Sequence, residues 1–267
     1  MTTPASPRDP PRLTAETGAG TFTYTDEGSG PAVVAIHGLP GSTRDFRWLG
    51  AALPETVRFL RLELPGFGGT PLCTGPGPDL DARGAFVVRA LEALGLQRCV
   101  VVGHSMGGGV AISAAAQAPD RVAALGLIAS IGLRPHRMLR RFVGPRLMER
   151  ATALPVLGGP MLALFKASLR SVGFSATLTD AEVKHTLACV AAVDFATQAR
   201  NTTKLAVPTL SAWAHDDTFI ERSVFEEHAA RLPAGPRLVF PEGGHNLQKS
   251  HAVELATALA TLAAAVG

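Results

Sequence analysis

The sequence predicts an α/β fold in which a mostly parallel β-sheet is covered by helices on both faces. Short apolar, β-branched runs alternate with segments that have helix-like apolar spacing. This alternation lapses once, between about 131 and 204, where helical segments are interrupted by proline and glycine. A glycine-rich turn around one serine, "GHSMG", joins a predicted strand to a predicted helix. The three observations together predict one α/β core that carries an inserted helical segment.

The bulk composition fits that prediction. The chain has 267 residues, of which 46% are hydrophobic and 18% charged, enough for one domain with a sizeable core. The net charge of +3 and the lack of a zinc-finger or RNP-like motif give no reason to expect a nucleic-acid partner. Cys73, Cys99 and Cys189 are widely spaced and form no CxxC pair, so we expect reduced thiols, no zinc site and a cytoplasmic location.

The first twelve residues, "MTTPASPRDPPR", predict a disordered tail. They lack the apolar centre of a signal peptide, and no run of about 18 uninterrupted apolar residues predicts a transmembrane segment.

The first half of the predicted core spans residues 13–130. "TFTYTDEGSG" and "PAVVAIHG" predict two opening strands, and "VRFLRLELPGFGG" and "RCVVVGH" predict two more. "RDFRWLGAALP", "DLDARGAFVVRALEALGL" and "MGGGVAISAAAQAP" predict helices, the second with Asp79 or Asp81 as N-cap. "VAALGLIAS" then predicts another buried strand.

The second half of the predicted core spans residues 205–267. "PTLSAWAHDD" and "PRLVFPEGGH" predict strands, and "SVFEEHAARLP" and "AVELATALATLAAAVG" predict helices. Between the halves, residues 131–204 are too many for a strand-to-helix connection, so we interpret them as an inserted helical cap.

Ser105 is the candidate nucleophile. "G-H-S-M-G" at 103 to 107 matches the G-x-S-x-G nucleophile elbow and lies where that motif requires it, after a strand and before a helix. The turn strains the serine backbone, and Gly103 and Gly107 supply the room that lets strand and helix approach each other.

A serine hydroxyl needs an imidazole to take its proton and a carboxylate to orient that imidazole. His245 is the candidate base, because it alone of eight histidines lies in a glycine-rich turn directly after a late predicted strand. Asp217 is the candidate acid, preferred to its neighbour Asp216, and Asp194 is a distant third choice. For the remaining histidines that lie near motifs we favour structural roles; they are His37, His104, His215 and His251.

Backbone amides that point at a developing oxyanion complete this chemistry. Two are well placed, those of Met106, directly after the serine, and of Leu39, in the turn "HGLPGS".

The motifs "AIHGLPGS", "LELPGFGGT", "VVGHSMGGGVA", "AWAHDDTF" and "PEGGHNLQ" occur in an order and spacing that resemble the α/β-hydrolase superfamily, over residues 21–130 and 205–265. The resemblance implies an eight-stranded, mostly parallel sheet, a helical cap between the sixth and seventh strands and no cofactor. Carried over by position, it also implies Ser105, Asp217 and His245 as the triad and Leu39 and Met106 as the oxyanion-hole amides.

The chain departs from the superfamily pattern at two positions, with Glu63 where relatives often have aspartate and Ala214 where they often have glycine. Both changes leave the triad intact. The serine nucleophile disfavours haloalkane dehalogenase and epoxide hydrolase activity, because members of the fold with those activities use aspartate.

The resulting hypothesis is a carboxylic ester hydrolase that works through an acyl-enzyme. A thioesterase, lactonase, C–C bond hydrolase, acyltransferase or perhydrolase would use the same triad, and a ligand-binding relative without turnover is the alternative from another class.

The cap sequence offers hints about the substrate. "LPVLGGPMLALF" and "FSATL" are candidate pocket walls for a small molecule with an acyl or aromatic group, although they could equally pack the cap against itself. A run of arginines at the start of the cap predicts a solvated helix face, with anionic substrates or an acidic membrane surface as alternative partners; its members are Arg134, Arg137, Arg140, Arg141, Arg146 and Arg150.

Overall fold

The computed structural model describes residues 6–72, 77–141, 144–174 and 177–267. Residues 1–5 of the predicted tail and Cys73 lie outside the described residues. Cys99 and Cys189 are buried and free. The cytoplasmic location inferred from the cysteines stays a prediction.

Eight strands form a single sheet in the order β1-β2-β4-β3-β5-β6-β7-β8. The first three strands along the chain are β1 (Leu13–Thr17), β2 (Gly20–Glu27) and β3 (Ala32–Ile36). The others are β4 (Arg58–Leu62), β5 (Cys99–His104), β6 (Val122–Ile128), β7 (Thr209–Ala214) and β8 (Arg237–Phe240). β2 runs antiparallel to β1 and β4, and every other pairing is parallel. The predicted α/β class with an eight-stranded, mostly parallel sheet is confirmed.

The sequence predicted two opening strands, whereas the structure has three, because β1 was not predicted. β1 forms a hairpin with β2 at the edge of the sheet, and most of its residues are partly or fully exposed. An edge strand buries little side-chain surface, so its sequence shows none of the apolar bias that marks the inner strands.

Helices cover both faces of the sheet. Those of the core are α1 (Arg47–Ala52), α2 (Leu80–Ala93), α3 (Met106–Gln117), α9 (Arg222–Ala229), α10 (Leu247–Ser250) and α11 (Ala252–Val266). Asp79 caps α2 by accepting a hydrogen bond from the amide of Ala82, which settles the choice between the two aspartates.

The two sides of each inner strand belong to different buried clusters. On β3, Val34 and Ile36 pack in the cluster that includes α2 and α3, whereas Val33 and Ala35 pack in the cluster that includes α1 and α11. Burial on both faces explains why the inner strands read as continuous apolar runs instead of alternating with polar residues.

Between β6 and β7, where the sequence predicted an insertion over residues 131–204, the described residues form five helices. They are α4 (Arg137–Arg141), α5 (Pro145–Thr152), α6 (Gly158–Ser171), α7 (Asp180–Ala191) and α8 (Phe195–Thr203). α6 and α7 share a small apolar cluster of their own, with Phe165, Leu169, Val183 and Leu187 at its centre. α8 instead packs on core helix α3, and its Asn201 side-chain amide donates to Asp81 Oδ1 over 2.6 Å.

The described part of the predicted N-terminal tail contacts the core in the structure. In the N-terminal segment, Asp9 pairs with Arg44 (2.9 Å) and Arg12 pairs with the buried Glu63 (3.1 Å). In the described part of the chain, no helix is both long enough and apolar enough to cross a membrane.

The arginine run at the start of the insertion is not the uniform solvated face that the sequence predicted. Arg134 pairs with Glu227 of α9 over 2.8 Å, and Arg140 pairs with Glu221, the N-cap of that helix, over 2.6 Å. These glutamates lie 93 and 81 residues later in the chain than their arginine partners, so the sequence pattern could not reveal the pairing.

Candidate functional site

Ser105 lies in the sharp turn between β5 and α3 and has a strained backbone. Its φ of 55° and ψ of −122° are uncommon for any residue with a Cβ atom. The turn is held from both sides, because the Ser105 amide donates to Ile128 O (3.0 Å) and the Ser105 carbonyl accepts from the amides of Gly108 (3.0 Å) and Ile131 (3.1 Å). These bonds fix the serine at the carboxyl edge of the sheet.

The two motif glycines are required by close backbone approach. A Cβ atom at Gly103 would lie 2.2 Å from Gly107 O, and one at Gly107 would lie 2.3 Å from Ile36 O. Neither neighbouring atom can move without shifting the main chain. The absence of side chains at these positions therefore lets α3 begin directly above β3 and β5.

His245, in the loop after β8, lies between Ser105 and Asp217. Its Nε2 is 2.9 Å from Ser105 Oγ, and its Nδ1 is 2.8 Å from Asp217 Oδ2. A carboxylate accepts only, so the proton of a neutral ring is on Nδ1, and Nε2 is free to accept from the serine hydroxyl. The structure thus brings together three residues separated by up to 140 positions in the sequence.

The two adjacent aspartates point in different directions. Asp217 is buried, and its Oδ1 accepts from the amides of Phe219 (2.7 Å) and Ile220 (3.0 Å). Asp216 is exposed and accepts from the amides of Gly243 (3.2 Å) and Gly244 (2.8 Å), which precede His245. Asp194, the third choice, caps α8 by accepting from the amide of Ala196.

The pKa of Asp217 lies below its ordinary value. Burial by itself would raise the pKa, but the hydrogen bond from His245, the electrostatic attraction to that ring and the two amide donors outweigh that effect. The carboxylate therefore stays charged and can hold the Nδ1 proton of His245.

Leu39 and Met106 line the same cavity as Ser105. The Met106 amide is in the first turn of α3, where helix geometry offers no acceptor within the helix. Leu39 lies in a turn braced by His37, whose Nδ1 is 2.6 Å from Gly38 O and whose Nε2 accepts from the Leu64 amide (3.0 Å). Burial lowers the pKa of His37 to about 4, so this brace stays neutral.

Two contacts to His245 were not predicted from the sequence. His104 Nε2 is 2.9 Å from His245 O, and the Phe219 ring stacks on the His245 ring with centroids 4.7 Å apart. His104 was assigned a structural role only as a neighbour of the serine, and no sequence signal separates Phe219 from other aromatic residues. His215 is exposed, and His251 stacks on Phe240.

The sheet order and the strained serine turn agree with a comparison of sequences. Residues 31–155 match the family model described as alpha/beta hydrolase fold. The chain has the α/β-hydrolase fold.

Curated relatives of this α/β-hydrolase-fold chain carry several activities in their names. It is 29% identical over 255 residues to the dihydrolipoyllysine-residue acetyltransferase component of an acetoin cleaving system from Pseudomonas putida. The alignment covers 88% of this chain but only 63% of that protein. It is 28% identical over 254 residues to a 2-hydroxy-6-oxononadienedioate/2-hydroxy-6-oxononatrienedioate hydrolase from Burkholderia vietnamiensis, with 86% of each chain covered.

Among solved structures, a thermophilic esterase from Thermogutta terrifontis superposes with a TM-score of 0.73 at 21% identity, covering 94% of this chain and 97% of the esterase. At that identity the likeness concerns the fold.

A cavity of about 560 Å³ opens onto Ser105, between the core and the insertion of this α/β-hydrolase fold. Its apolar wall comes from the insertion and consists of Met138, Leu139, Phe165, Leu169, Val172, Phe174, Leu178 and Val190. The core side of the lining has a polar wall that includes Arg12, Arg44 and Arg47. A cavity of this size suits a small organic molecule.

The two predicted wall segments contribute unequally to the cavity. Phe174, Thr177 and Leu178 of "FSATL" line it, while Ser175 and Ala176 lie outside the described residues. In "LPVLGGPMLALF" the last residue, Phe165, lines the cavity, but the larger side chains before it are mostly exposed; these are Leu154, Val156, Leu157 and Leu164. The wall prediction was wrong for these four, because periodicity alone does not tell which side of a cap helix faces the pocket.

No group of three or more histidine, cysteine or acidic side chains within the described ranges could hold a metal ion.

Proposed function

We propose that this chain is a serine hydrolase that cleaves carboxylic esters through an acyl-enzyme. The observation that carries the proposal is the hydrogen-bonded relay from Ser105 through His245 to Asp217, which opens into a cavity with an apolar wall. A serine hydroxyl, an imidazole and a buried carboxylate in this order are what acyl transfer at neutral pH requires.

In the first half-reaction, His245 Nε2 takes the hydroxyl proton while Ser105 Oγ attacks the ester carbonyl carbon. The amides of Leu39 and Met106 bind the resulting oxyanion, and each such donor is worth on the order of 3 kcal/mol in the transition state. Asp217 stabilises the imidazolium that forms. The imidazolium then protonates the departing alkoxide, which leaves as the alcohol and yields the seryl ester.

In the second half-reaction, water replaces the alcohol. His245 takes a proton from the water, whose oxygen attacks the carbonyl of the seryl ester, and the same two amides bind the oxyanion. Collapse of this intermediate breaks the bond to Ser105 Oγ, which receives the proton from His245. The carboxylic acid is released, and the starting state is restored.

The apolar wall supports a substrate with an aliphatic acyl or aromatic group. Phe165 and Leu169 of α6 and Leu178, just before α7, line this side of the cavity. Burial of apolar substrate atoms there contributes about 25 cal/mol per Å² removed from water.

The test is hydrolysis of p-nitrophenyl esters from acetate to laurate by the wild-type chain and by Ser105→Ala. We expect turnover by the wild type alone, with a chain-length optimum set by the cavity. In parallel, a fluorophosphonate probe should label the wild type on Ser105 and leave Ser105→Ala unlabelled. A folded wild-type protein that neither hydrolyses any ester of the series nor reacts with the probe would refute the proposal.

C–C bond hydrolysis is a second candidate function. Two observations favour it: the similarity to the dienedioate hydrolase of Burkholderia vietnamiensis, and the arginines of the polar wall, which suit a substrate carboxylate. Arg47 in particular donates to the neutral oxygens of Ser6 (2.7 Å) and Arg44 (2.8 Å).

The two functions are separated by supplying 2-hydroxy-6-oxononadienedioate and following its consumption by absorbance. Faster cleavage of this compound than of any ester, with a higher KM in Arg47→Gln and unchanged ester KM, would favour the C–C hydrolase. Consumption no faster than the background rate would leave the ester hydrolase as the function of this site.

A further inference from the structure

The helical insertion exposes a cluster of aliphatic side chains that the cavity does not use. The cluster, which we call the cap tip, lies on α5, on the bend 153–157 and on α6, and consists of Leu147, Leu154, Val156, Leu157 and Leu164. Val156 is 83% exposed and Leu147 is 69% exposed. The smaller residues between them are exposed as well; they are Ala153, Pro155, Pro160, Ala163 and Ala167.

The bend between α5 and α6 holds its leucines in place. The Gly158 amide donates to Leu154 O over 2.8 Å, and the Met161 amide donates to Leu157 O over 3.0 Å. A Cβ atom at Gly158 would lie 2.6 Å from Thr152 O, so the bend packs tightly against the end of α5. The exposed apolar surface is therefore part of a folded turn.

α6 has two apolar faces with different surroundings. Phe165 and Leu169 are buried, belong to the cluster shared with α7 and line the cavity. Leu164, next to Phe165 in the sequence, is 62% exposed and faces away from that cluster. Since the inner face already has its partners, the outer face is available for something outside the chain.

Positive charge surrounds the cap tip. Between residues 144 and 171 the sequence has four basic residues, Arg146, Arg150, Lys166 and Arg170, and one acidic residue, Glu149. Arg146 and Arg150 are exposed on α5 beside Leu147. Lys166 is paired with Asp180 over 2.9 Å. Arg146 donates to the neutral main-chain oxygen of Ala191 (3.2 Å), so its charge, like that of the exposed Arg150, contributes to this surface.

We propose that the cap tip docks on anionic lipid surfaces, with its aliphatic side chains inserted among the lipids and its arginines on the head groups. Aliphatic residues flanked by arginine or lysine are the pattern of interfacial binding, and anionic lipids attract such cations. The proposal does not depend on the ester hydrolase function. It places the cavity, which lies across α6 from the cap tip, next to the lipid surface.

A second copy of this chain fits the cap tip less well. In a symmetric dimer the same patch meets itself, so the Arg146 and Arg150 side chains of the two copies would face one another. The cap tip also lacks the exposed aromatic residues that anchor most protein interfaces. Charge complementarity therefore favours lipid.

The experiment is co-sedimentation of the 267-residue Ser105→Ala protein with vesicles, so that the result is independent of catalysis. Vesicles of phosphatidylglycerol and phosphatidylcholine are compared with vesicles of phosphatidylcholine alone. We expect binding at least tenfold tighter to the anionic vesicles, and weaker binding in 0.5 M salt because salt screens the arginines.

Two cap-tip variants and one control, each made in the Ser105→Ala background, test which residues carry the binding. Val156→Ser/Leu157→Ser should weaken binding to anionic vesicles at least tenfold, and Arg146→Gln/Arg150→Gln should remove most of the preference for anionic lipid. Leu13→Ser/Val253→Ser changes two residues that are also exposed but lie outside the insertion, and it should bind like its parent. Unchanged thermal midpoints show that the variants are folded.

Three results would overturn the proposal. One is the failure of the parent protein to sediment with anionic vesicles. Another is equal binding by Val156→Ser/Leu157→Ser and its parent. The third is a dimer, seen by analytical ultracentrifugation, that Val156→Ser/Leu157→Ser abolishes while vesicles bind neither protein; this would assign the cap tip to a second copy of the chain.

Discussion

His104 Nε2 lies 2.9 Å from the main-chain oxygen of His245, so the residue before the serine anchors the loop that carries the histidine. A carbonyl oxygen only accepts, and the His104 ring therefore donates from Nε2. Burial, together with the nearby His245, lowers the pKa of His104 to about 3, so the ring stays neutral over the working range of pH.

Removal of this anchor should slow the reaction without abolishing it. We expect His104→Ala to lower kcat about fivefold with little change in KM, since a hydrogen bond of this kind contributes about 1 kcal/mol. His215→Ala, which alters an exposed histidine, is the matched control. Steady-state kinetics on one p-nitrophenyl ester measure both, and equal kcat values for the two variants would show that the anchor has no catalytic effect.

The strained backbone at Ser105 should affect the free energy of unfolding of variants at this position. A glycine has no Cβ atom to clash at a φ of 55°, whereas an alanine keeps one. We therefore expect Ser105→Gly to be more stable than Ser105→Ala by roughly 1 kcal/mol, with both proteins inactive. Urea unfolding of the two variants measures the difference, and a more stable alanine variant would contradict it.

The two adjacent aspartates should differ sharply in their effect on activity. Asp217→Asn keeps the shape but loses the charge beside His245, and we expect kcat to fall by up to about 10⁴. Asp216→Asn changes an exposed group that accepts hydrogen bonds from the Gly243 and Gly244 amides, and it should lower kcat less than about tenfold. Similar kcat values for the two variants would mean that the acid is wrongly assigned.

Activity should fall as the pH is lowered, because the base must be neutral to accept the serine proton. Asp217 does not add to this loss, since its lowered pKa keeps it charged to below its ordinary titration range. His104 and His136, with pKa values lowered by burial to about 3 and about 4, also stay neutral. A kcat/KM profile from pH 5 to 9 should fall on the acid side, and a flat profile would argue against an imidazole base. Burial raises the pKa of Asp45, which also lines the cavity, to about 6, so this carboxyl titrates in the same range.

Gly107 of the nucleophile elbow should tolerate no side chain, whereas Gly159 should accept one. A Cβ atom at Gly107 would lie 2.3 Å from Ile36 O and 2.5 Å from His37 O, so we expect Gly107→Ala to destabilise the fold by at least about 2 kcal/mol. Gly159 lies in α6 with nothing within 4 Å of the Cβ position, and Gly159→Ala should raise stability by about 0.5 to 1 kcal/mol. Denaturant unfolding of both variants checks the contrast.

The sequence by itself determined the inner strands and the main core helices, and it singled out Ser105 as the candidate nucleophile. Inner strands buried on both faces need continuous apolar runs, and a strained strand-to-helix turn needs glycines at fixed positions, so both leave a local mark. The β1 edge strand leaves none, because most of its residues are at least partly exposed. The order of motifs also restricted the candidate base and acid to a few residues, among them His245 and Asp217.

Tertiary structure decided the rest, because contacts between distant segments have no fixed pattern in the sequence. It turns Asp217 toward His245 and Asp216 toward Gly244, although the two residues are neighbours and chemically identical. It stacks Phe219 on His245. In α6 it sets Phe165 into the cavity and Leu164 out to solvent, a choice that depends on how a whole helix is rotated against its partners and not on the residues themselves.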